Sequence, residues 1–305
     1  MIILTGSSGF VGSNLRSYLE RRGEQILGVS RTPSEYEVDY KVINSTLLNT
    51  SHSLVHLAGK AHDLKKTSEE SVYFEVNTEL TKRLFDQFLD SKCEVFIYMS
   101  SVKAAADSVK GILTEKNVPN PFTAYGKSKL AAENYISSKK LPKNKRVYIL
   151  RPCMIHGPGN KGNLNLLFKL VKKGIPYPLG AFENKRSFLS IENLCFVIQE
   201  LLLKRPQSGV FNIADDTPIS TNKLVEIIAS SIDKKSRIWS IPIVIVSFFG
   251  KIGTLCKLPF TENTLQKLTE NYIVSNSKIK KVLRIELPIS TIRGFLNTFK
   301  SFNNK

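Results

Sequence analysis

The sequence predicts an α/β fold with a parallel sheet covered on both faces and a smaller second domain. Short β-branched runs alternate with helical stretches through the first half of the chain, a spacing typical of βαβ units. The runs are almost continuously apolar, as strands are when helices cover both faces of their sheet. With 305 residues, 42% of them hydrophobic, the chain is long enough for about two domains.

The elements follow one another in a regular order. The first βαβ unit has a strand at 2–4, a helix at 9–22 and a strand at 25–29, and further buried strands are predicted at 53–57, 95–99 and 147–150. After Arg151-Pro152 glycine and proline become frequent, and helical segments such as 222–232 replace the alternation. We therefore predict a first domain over residues 1–152, with a return at about 185–214, and a second domain within 153–305.

The charge balance predicts an anionic partner. Lys and Arg number 44 against 26 Asp and Glu, a net charge of +18, which attracts nucleic acid, anionic membrane or a phosphorylated small molecule. The basic residues are scattered rather than gathered on one helix or arm, which argues against nucleic acid. The four cysteines lie 60, 42 and 61 residues apart, so no CxxC pair exists, and no secretory signal is recognisable; we expect a reduced, cytoplasmic chain.

The most apolar stretch, 241–250 (IPIVIVSFFG), is about half as long as the ~20 residues that span a bilayer. We interpret it as a buried helix, with a membrane-surface segment as the alternative, and expect no stable membrane insertion. His56 lies on a predicted buried strand without a second ligand at metal-binding spacing, so we expect no metal site.

A glycine-rich segment, Thr5 to Gly12 (TGSSGFVG), joins the first strand to the first helix. Gly6 suits the tight turn, Gly9 lets the backbone approach a pyrophosphate, and Gly12 allows close packing of helix on sheet. Backbone N–H groups at the helix start add donors for the phosphates. We predict a dinucleotide site made by this loop, with Ser8, Phe10 and Val11 among its residues.

The end of the second strand predicts which dinucleotide is bound. A carboxylate there binds the ribose 2′-hydroxyl of NAD, whereas a cation accepts the 2′-phosphate of NADP. The chain has Ser30-Arg31-Thr32 at this point and no Asp or Glu, and the nearest acid, Glu35, follows a proline turn. Arg31 therefore favours NADP(H), although an arginine can also stack on the adenine in an NAD site.

Two further motifs point to proton transfer. Tyr125 and Lys129 are four residues apart on a predicted helix, so their side chains share one face. A nearby ammonium stabilises a phenolate and lowers the pKa of the tyrosine. Ser101 follows the strand at 95–99, where ligands of open parallel sheets bind, and its hydroxyl can hold a substrate oxygen.

Together these motifs resemble the extended short-chain dehydrogenase/reductases, specifically the nucleotide-sugar epimerase/dehydratase group that includes UDP-glucose 4-epimerase. The matching motifs span nearly the whole chain: TGSSGFVGSNL at 5–15, VHLAGKAH at 55–62, FIYMSS at 96–101, YGKSK at 125–129, LRPCMIHGPG at 150–159 and RSFLSIENL at 186–194. The resemblance implies a doubly wound Rossmann sheet, a small C-terminal sugar-nucleotide domain, hydride exchange at a sugar carbon, and a homodimer formed through two helices per subunit.

The resemblance also implies roles for single residues. Ser101, Tyr125 and Lys129 fall on the catalytic triad positions, and Lys129 also binds the nicotinamide ribose. Ala58, Gly59 and Pro152 line the cofactor, and Asn77 supports the wall of the site. Arg186 matches the arginine that binds the substrate diphosphate, and its Ser-Phe sequel predicts a strand that rejoins the sheet. Lys103 and the loop residues Lys161, Gly162 and Asn163 are further candidates for sugar or phosphate contacts.

Departures from the family pattern narrow the reaction. The 4,6-dehydratases carry Asp-Glu directly after the catalytic hydroxyl residue, because elimination needs an acid and a base; here Val102-Lys103 stands instead. With Arg31 favouring NADP(H), we expect reduction of a UDP-4-keto-6-deoxy-N-acetylhexosamine in bacterial surface polysaccharide synthesis. Two alternatives stay open: a 4-epimerase acting on UDP-glucose or UDP-N-acetylglucosamine, and a non-catalytic dinucleotide-binding scaffold that associates with RNA.

Overall fold

The computed structural model describes residues 1–35, 37–60, 69–160, 162–255 and 261–303. Within these ranges the strands are β1 (Ile2–Thr5), β2 (Ile26–Ser30), β3 (Glu37–Asp39), β4 (Ser53–His56), β5 (Val95–Met99), β6 (Ile112–Leu113), β7 (Arg146–Pro152), β8 (Met154–His156), β9 (Phe188–Ser190), β10 (Gly209–Ile213) and β11 (Ile273–Val274).

The helices of the same ranges are α1 (Phe10–Glu20), α2 (Ser45–Leu48), α3 (Glu70–Phe74), α4 (Leu80–Leu89), α5 (Val102–Ala105), α6 (Ala124–Ser138), α7 (Asn163–Lys172), α8 (Ile191–Lys204), α9 (Thr221–Ser231), α10 (Ile243–Leu255), α11 (Glu262–Thr269), α12 (Ser277–Leu283) and α13 (Thr291–Asn303). A π-helical turn, Glu75–Glu79, joins α3 to α4.

Seven parallel strands form the main sheet, in the order β10-β7-β5-β4-β1-β2-β3. Strand order reverses at β1, where β2 and β3 continue to one side and β4 onwards to the other. A ligand site is expected in the crevice at the carboxyl ends of the strands near such a switch point. The predicted doubly wound parallel sheet is confirmed.

Helices cover both faces of this sheet, and each face has its own apolar core. On one face Leu15 and Leu19 of α1 share a core with Leu194 of α8. On the other, Phe88 of α4 packs in a core that includes Ile136 of α6. The continuous apolar runs of the strands are explained by this double coverage, since neither face meets water.

A third apolar core lies outside the sheet. It joins α7, α9 and α13 through Phe168, Ile228, Phe295 and Phe299, which are all buried. The predicted domain boundaries themselves stay predictions.

The strand after Arg186 was expected to rejoin the main sheet, and this is wrong: Phe188–Ser190 pairs with β8 in a separate two-stranded sheet, because β10 already occupies the edge beside β7.

The apolar stretch at 241–250 does form a helix, α10, but the prediction that it is buried is wrong. Val246 and Gly250 are its buried residues in the described chain, whereas Phe248 and Phe249 are 60% and 59% exposed. Hydropathy favours burial of such a helix but cannot supply neighbours to cover it. Within the described ranges, no helix combines the length and apolar character needed to cross a membrane.

Candidate active site

Two positions of the glycine loop, Gly6 and Gly12, leave no space for a side chain. Gly6 has a φ of +70°, and a Cβ there would lie 2.9 Å from the backbone nitrogen of Ala58. A Cβ on Gly12 would lie 2.1 Å from the carbonyl oxygen of Gly6. Gly9 is the N-cap of α1 and has no side chain to bond the free N–H groups of the first turn. These donors therefore fit a dinucleotide pyrophosphate.

The other predicted cofactor residues lie at the carboxyl ends of neighbouring strands. Ser8 is exposed and Phe10 and Val11 are half-buried at the start of α1, next to the loop after β4 that carries Ala58 and Gly59. A Cβ on Gly59 would lie 2.9 Å from Nζ of Lys129, so this loop and α6 meet closely. Pro152 is buried at the end of β7.

The π-helical turn fixes the wall between this loop and α6. Asn77 is buried in the turn; its Oδ1 accepts from the backbone N–H of Lys60 at 2.8 Å, and its Nδ2 donates to Oγ of Ser128 at 3.0 Å. The neighbouring Thr78 hydroxyl donates to the carbonyl of Ser128 at 2.8 Å. Such turns are frequent at functional sites, and this one ties residues 60, 77 and 128 together as the resemblance implied for Asn77.

Ser101 and Tyr125 meet beside this wall. Ser101 caps α5, and its Oγ accepts from the backbone N–H of Lys103 at 3.2 Å. Tyr125, in the first turn of α6, shares a side-chain hydrogen bond with Ser101. The ring of Tyr73 contacts that of Tyr125 edge-on, with 6.3 Å between centroids. The structure thus brings together two groups that the sequence places 24 residues apart.

Lys129 lies one helical turn beyond Tyr125 and is buried. Its Nζ donates to the carbonyl of Met99 at 2.9 Å, at the end of β5. Burial lowers the pKa of Lys129 to about 8, and the nearby Glu133 carboxylate opposes that shift. The cation is therefore held close to its titration point at neutral to mildly alkaline pH.

The expected lowering of the Tyr125 pKa is wrong for this structure. Burial raises the pKa of Tyr125, and the hydrogen bond with Ser101 offsets only part of the shift. Desolvation of the buried phenol is the largest cause, and the Lys129 ammonium is directed at the carbonyl of Met99. The phenol is accordingly protonated at neutral pH.

A buried carboxylate beneath the triad was missed by the sequence analysis. Glu133 forms an ion pair with Arg151, in which both side chains are at most 5% exposed, and it also accepts from the hydroxyl of Ser100. Glu133 follows Lys129 by four residues, as Lys129 follows Tyr125. That repeated spacing, which places all three on one face of α6, was the available signal.

A second carboxylate, Glu37, lies at the tip of β2, where the sequence analysis found none within reach; that statement is wrong. Glu37 begins β3 and accepts from the hydroxyl of Ser7 in the glycine loop and from that of Ser30 at 3.2 Å. Ser34 donates to it as well, and these bonds lower the pKa of Glu37, with Ser7 the largest cause. Arg31 is exposed beside this cluster.

The predicted substrate residues make contacts with other parts of the chain. Nζ of Lys103 donates to the carbonyl of Asp107 at 2.7 Å and lies 4.3 Å from the ring centroid of Tyr272. Arg186 is half-buried, and its backbone bridges to Ile219 and Tyr272. Asn163 begins α7, while Lys161 lies outside the described residues. Substrate contacts by these residues stay predictions.

The buried histidine of the site is structural. His56 hydrogen-bonds Thr5 through Nδ1 at 2.7 Å and Thr81 through Nε2 at 2.9 Å. Burial lowers the pKa of His56 to about 3, and the Lys129 charge adds to the shift, so this ring is neutral. In the described part of the chain, no group of three or more His, Cys, Asp or Glu side chains is placed to hold a metal ion.

A dinucleotide cradle at the switch point of a doubly wound sheet, with serine, tyrosine and lysine beside it, defines a dinucleotide-dependent oxidoreductase of the short-chain type. Residues 2–214 match the model of the NAD dependent epimerase/dehydratase family, and the chain belongs to that family. The predicted extended short-chain dehydrogenase/reductase acting on nucleotide sugars is confirmed. The RNA-associated scaffold is left without support.

Two curated relatives align over almost the whole chain. UDP-glucose 4-epimerase of Vibrio cholerae is 31% identical over 99% of this chain and 95% of its own length. N-acetyl-α-D-glucosaminyl-diphospho-ditrans,octacis-undecaprenol 4-epimerase of Escherichia coli O157:H7 is 28% identical over 92% of this chain and 84% of its own length. Both relatives are named as 4-epimerases.

A solved structure shares the fold at lower identity. RMD from Pseudomonas aeruginosa complexed with NADPH superposes with a TM-score of 0.73 at 19% identity, covering all of this chain and 99% of that one. The family to which the chain belongs is described as NAD dependent, so the cofactor is a nicotinamide dinucleotide. The chain is an NAD(P)-dependent nucleotide-sugar enzyme.

The Glu133 ion pair predicts a large loss of stability when it is broken. Glu133→Ala leaves the Arg151 guanidinium buried without its partner, and we expect the free energy of unfolding to fall by about 3–5 kcal/mol. Urea denaturation measures this. The matched control is Glu20→Ala, which breaks an exposed pair with Arg16 at 2.8 Å and costs less than about 1 kcal/mol. Equal losses in the two variants would contradict the prediction.

The lowered pKa of Lys129 predicts a pH-dependent stability. Folding lowers this pKa from 10.5 to about 8, so between these values the unfolded chain binds more protons. The wild type should therefore gain stability relative to Lys129→Met as the pH rises through that window, by about 1.4 kcal/mol per pH unit. Below the folded pKa the difference stays constant. Urea unfolding of both proteins at several pH values tests this. If the difference between their free energies of unfolding does not depend on pH, the prediction is wrong.

Proposed function

We propose that the protein interconverts the C4 epimers of a UDP-sugar and keeps its nicotinamide dinucleotide through each cycle. The observation that carries the proposal is the hydrogen-bonded pair of Ser101 and Tyr125 beside the glycine cradle, with Lys129 one turn away. The 4-epimerase from Vibrio cholerae, which aligns over 99% of the chain, supports this reaction.

The chain's own residues supply the proton chemistry. Ser101 holds the C4 oxygen by a hydrogen bond, and Tyr125, once deprotonated to the phenolate, takes the hydroxyl proton as C4 is oxidised to a ketone. When bound, the nicotinamide ring supplies the acceptor and then the donor of the C4 hydride. The keto sugar turns its other face to the site, and Tyr125 returns the proton. Burial of Tyr125 disfavours the phenolate that this step needs, and the positive charges of Lys129 and of a bound oxidised nicotinamide would oppose that penalty.

Substrate recognition is proposed for three residues, Arg186, Lys103 and Asn163. Arg186 binds the diphosphate, because a guanidinium presents a planar fork of donors that matches it. Lys103 contacts a sugar oxygen, and Asn163 contacts the sugar or a phosphate. An N-acetylhexosamine is a candidate sugar, since the relative from Escherichia coli is named for one carried on a diphosphate.

A second candidate is reduction of a UDP-4-keto-6-deoxy-N-acetylhexosamine in surface polysaccharide synthesis. Arg31 favours it, because a cation at the end of β2 suits the 2′-phosphate of NADPH. The same triad serves: Ser101 holds the carbonyl oxygen, and Tyr125 donates the proton. The two reactions differ in whether the cofactor is consumed.

For the cofactor we propose NAD rather than the NADP that Arg31 alone predicted. Glu37 lies between Ser7 of the cradle and Ser30 at the end of β2, where a carboxylate takes a ribose 2′-hydroxyl. Its lowered pKa keeps it ionised, and an ionised carboxylate repels a 2′-phosphate. A retained NAD also suits an epimerase, which needs no cofactor exchange.

The test of the reaction incubates the purified protein with UDP-glucose and with UDP-N-acetylglucosamine in the presence of catalytic NAD. Appearance of the C4 epimer by proton NMR, without net change at the nicotinamide absorbance, supports the epimerase. Stoichiometric oxidation of NADPH by a UDP-4-keto-6-deoxy-N-acetylhexosamine, without epimerisation, establishes the reductase instead. Inactivity in both assays contradicts both candidates.

Tyr125→Phe should lower turnover by about 100-fold or more, because the ring keeps its packing and loses its proton. Binding of NAD, measured by calorimetry, should stay close to wild type. Tyr135→Phe is the control: it lies on the same helix, but its hydroxyl donates to Asp86 at 2.8 Å. Wild-type turnover by Tyr125→Phe removes this tyrosine from the mechanism.

Glu37→Gln should raise the affinity for NADP relative to NAD by about tenfold or more, because the charge that repels the 2′-phosphate is removed. The dissociation constants of both dinucleotides measure this ratio. Glu35→Gln, an exposed acid two residues earlier, is the control and should leave the ratio unchanged. If the wild type already prefers NADP and Glu37→Gln does not alter that preference, Arg31 decides the choice.

A further inference from the structure

Large apolar side chains are exposed on α10 and in the segment before it. Trp239 is 59% exposed, and Val244, Phe248, Phe249 and Leu255 are 59–85% exposed. Single exposed apolar side chains are ordinary, but several on one helix mark a surface that a partner or a membrane covers. We call these five residues the apolar face.

The helix itself shows which side is outward. Val246 and Gly250, four residues apart, form its inner stripe: Val246 belongs to the third core, and Gly250 lies against Glu262 of α11. Val244, Phe248 and Leu255 lie on the opposite side, where their spacing of four and seven aligns them. With 13 residues α10 is about 20 Å long, shorter than a ~30 Å hydrocarbon core. Such a helix can lie in a membrane surface and cannot cross it.

Basic side chains lie in the segment that precedes this helix and at the end of α7, which that segment contacts. The ends of α7 and α9 meet through hydrogen bonds from Nζ of Lys234 to the carbonyl of Lys172 and from Arg237 to that of Gly174. This contact gathers an exposed set, here called the basic rim: Lys172, Lys173, Lys234, Lys235 and Arg237.

The basic rim and the apolar face are continuous along the chain. Arg237 and Trp239 are two residues apart on an extended segment that pairs with residues 177–179. Their side chains therefore point to the same side of that segment. Lys251 is exposed among the apolar side chains of α10, where a long stem can carry its charge outward. The sequence from Lys234 to Leu255 contains no Asp or Glu.

We infer that the apolar face and the basic rim form a docking site for an anionic lipid bilayer. Aromatic and aliphatic side chains on one helix enter the interface between headgroups and acyl chains, while lysine and arginine attract anionic headgroups. Trp239, which precedes α10, suits the headgroup level of a bilayer, where tryptophan is enriched. A second copy of this chain, also at +18, would bring like charges together at the rim. Charge complementarity therefore selects the bilayer.

The test is cosedimentation of the full-length protein with vesicles. Vesicles of phosphatidylcholine alone are compared with equal parts of phosphatidylcholine and phosphatidylglycerol, at about 0.1 M and about 0.5 M NaCl. We expect the protein to pellet with the anionic vesicles at least about tenfold more strongly than with neutral ones, and less at high salt.

Two variants separate the parts of the surface. Phe248→Ser with Phe249→Ser, and Lys234→Glu with Lys235→Glu, should each reduce binding to anionic vesicles by about tenfold or more. Leu203→Ser is the control, because Leu203 is 62% exposed on α8, away from the apolar face; it should bind as wild type does. Circular dichroism melting checks that every variant is folded.

Three results would overturn the inference. The first is equal binding to neutral and anionic vesicles, and the second is wild-type binding by both double variants. The third is a smaller oligomer by light scattering for Phe248→Ser with Phe249→Ser and no change with vesicles, which would assign the face to contact between copies. Turnover of a UDP-sugar in lipid-free buffer should be unchanged in these variants; absence of turnover in the wild type would contradict the proposed reaction and leave the vesicle result standing.

Discussion

The geometry of the site depends on the ion pair between the buried carboxylate of Glu133 and the guanidinium of Arg151. The carboxylate reaches from α6 to Arg151 on β7 and to Ser100 just beyond β5, and so fixes the helix over the carboxyl ends of both strands. Two cations, Arg151 and Lys129, are buried within this region and one anion compensates them. Because unpaired buried charges are costly, the helix has one well-defined position on the sheet. The distance from Tyr125 to Ser101 follows from that position.

The cofactor side is fixed by close contact rather than by charge. Gly12 against Gly6, and Gly59 against Lys129 and Asn77, leave no space for a side chain. The π-helical turn continues this contact through Asn77 and Ser128. α6 therefore packs directly against the loop after β4, and a shift of this helix would displace that loop.

The parts predicted from sequence were those whose partners are close along the chain or at a strand end. The strand, loop and helix around Gly6 are a local pattern, Tyr125 and Lys129 are related by one helical turn, and Ser101 follows a recognisable strand. Glu37 was missed because its role depends on the parallel pairing of β3 with β2, which no local pattern reveals. The pKa of Tyr125 and the exposure of α10 were wrongly predicted for a related reason: both depend on which atoms surround a group, and residue type does not contain that information.

The proposed role of Glu37 places cofactor selectivity and proton transfer on different parts of the sheet. β3 is an edge strand of the main sheet, far in strand order from β5, which precedes Ser101, one of the residues proposed for proton transfer. If Glu37 selects the dinucleotide as proposed, a substitution there would change that selectivity at a distance from the groups proposed for proton transfer. Descendants of one ancestral catalyst could in this way divide into enzymes that recycle their redox partner and enzymes that spend it, while the sugar chemistry is inherited intact.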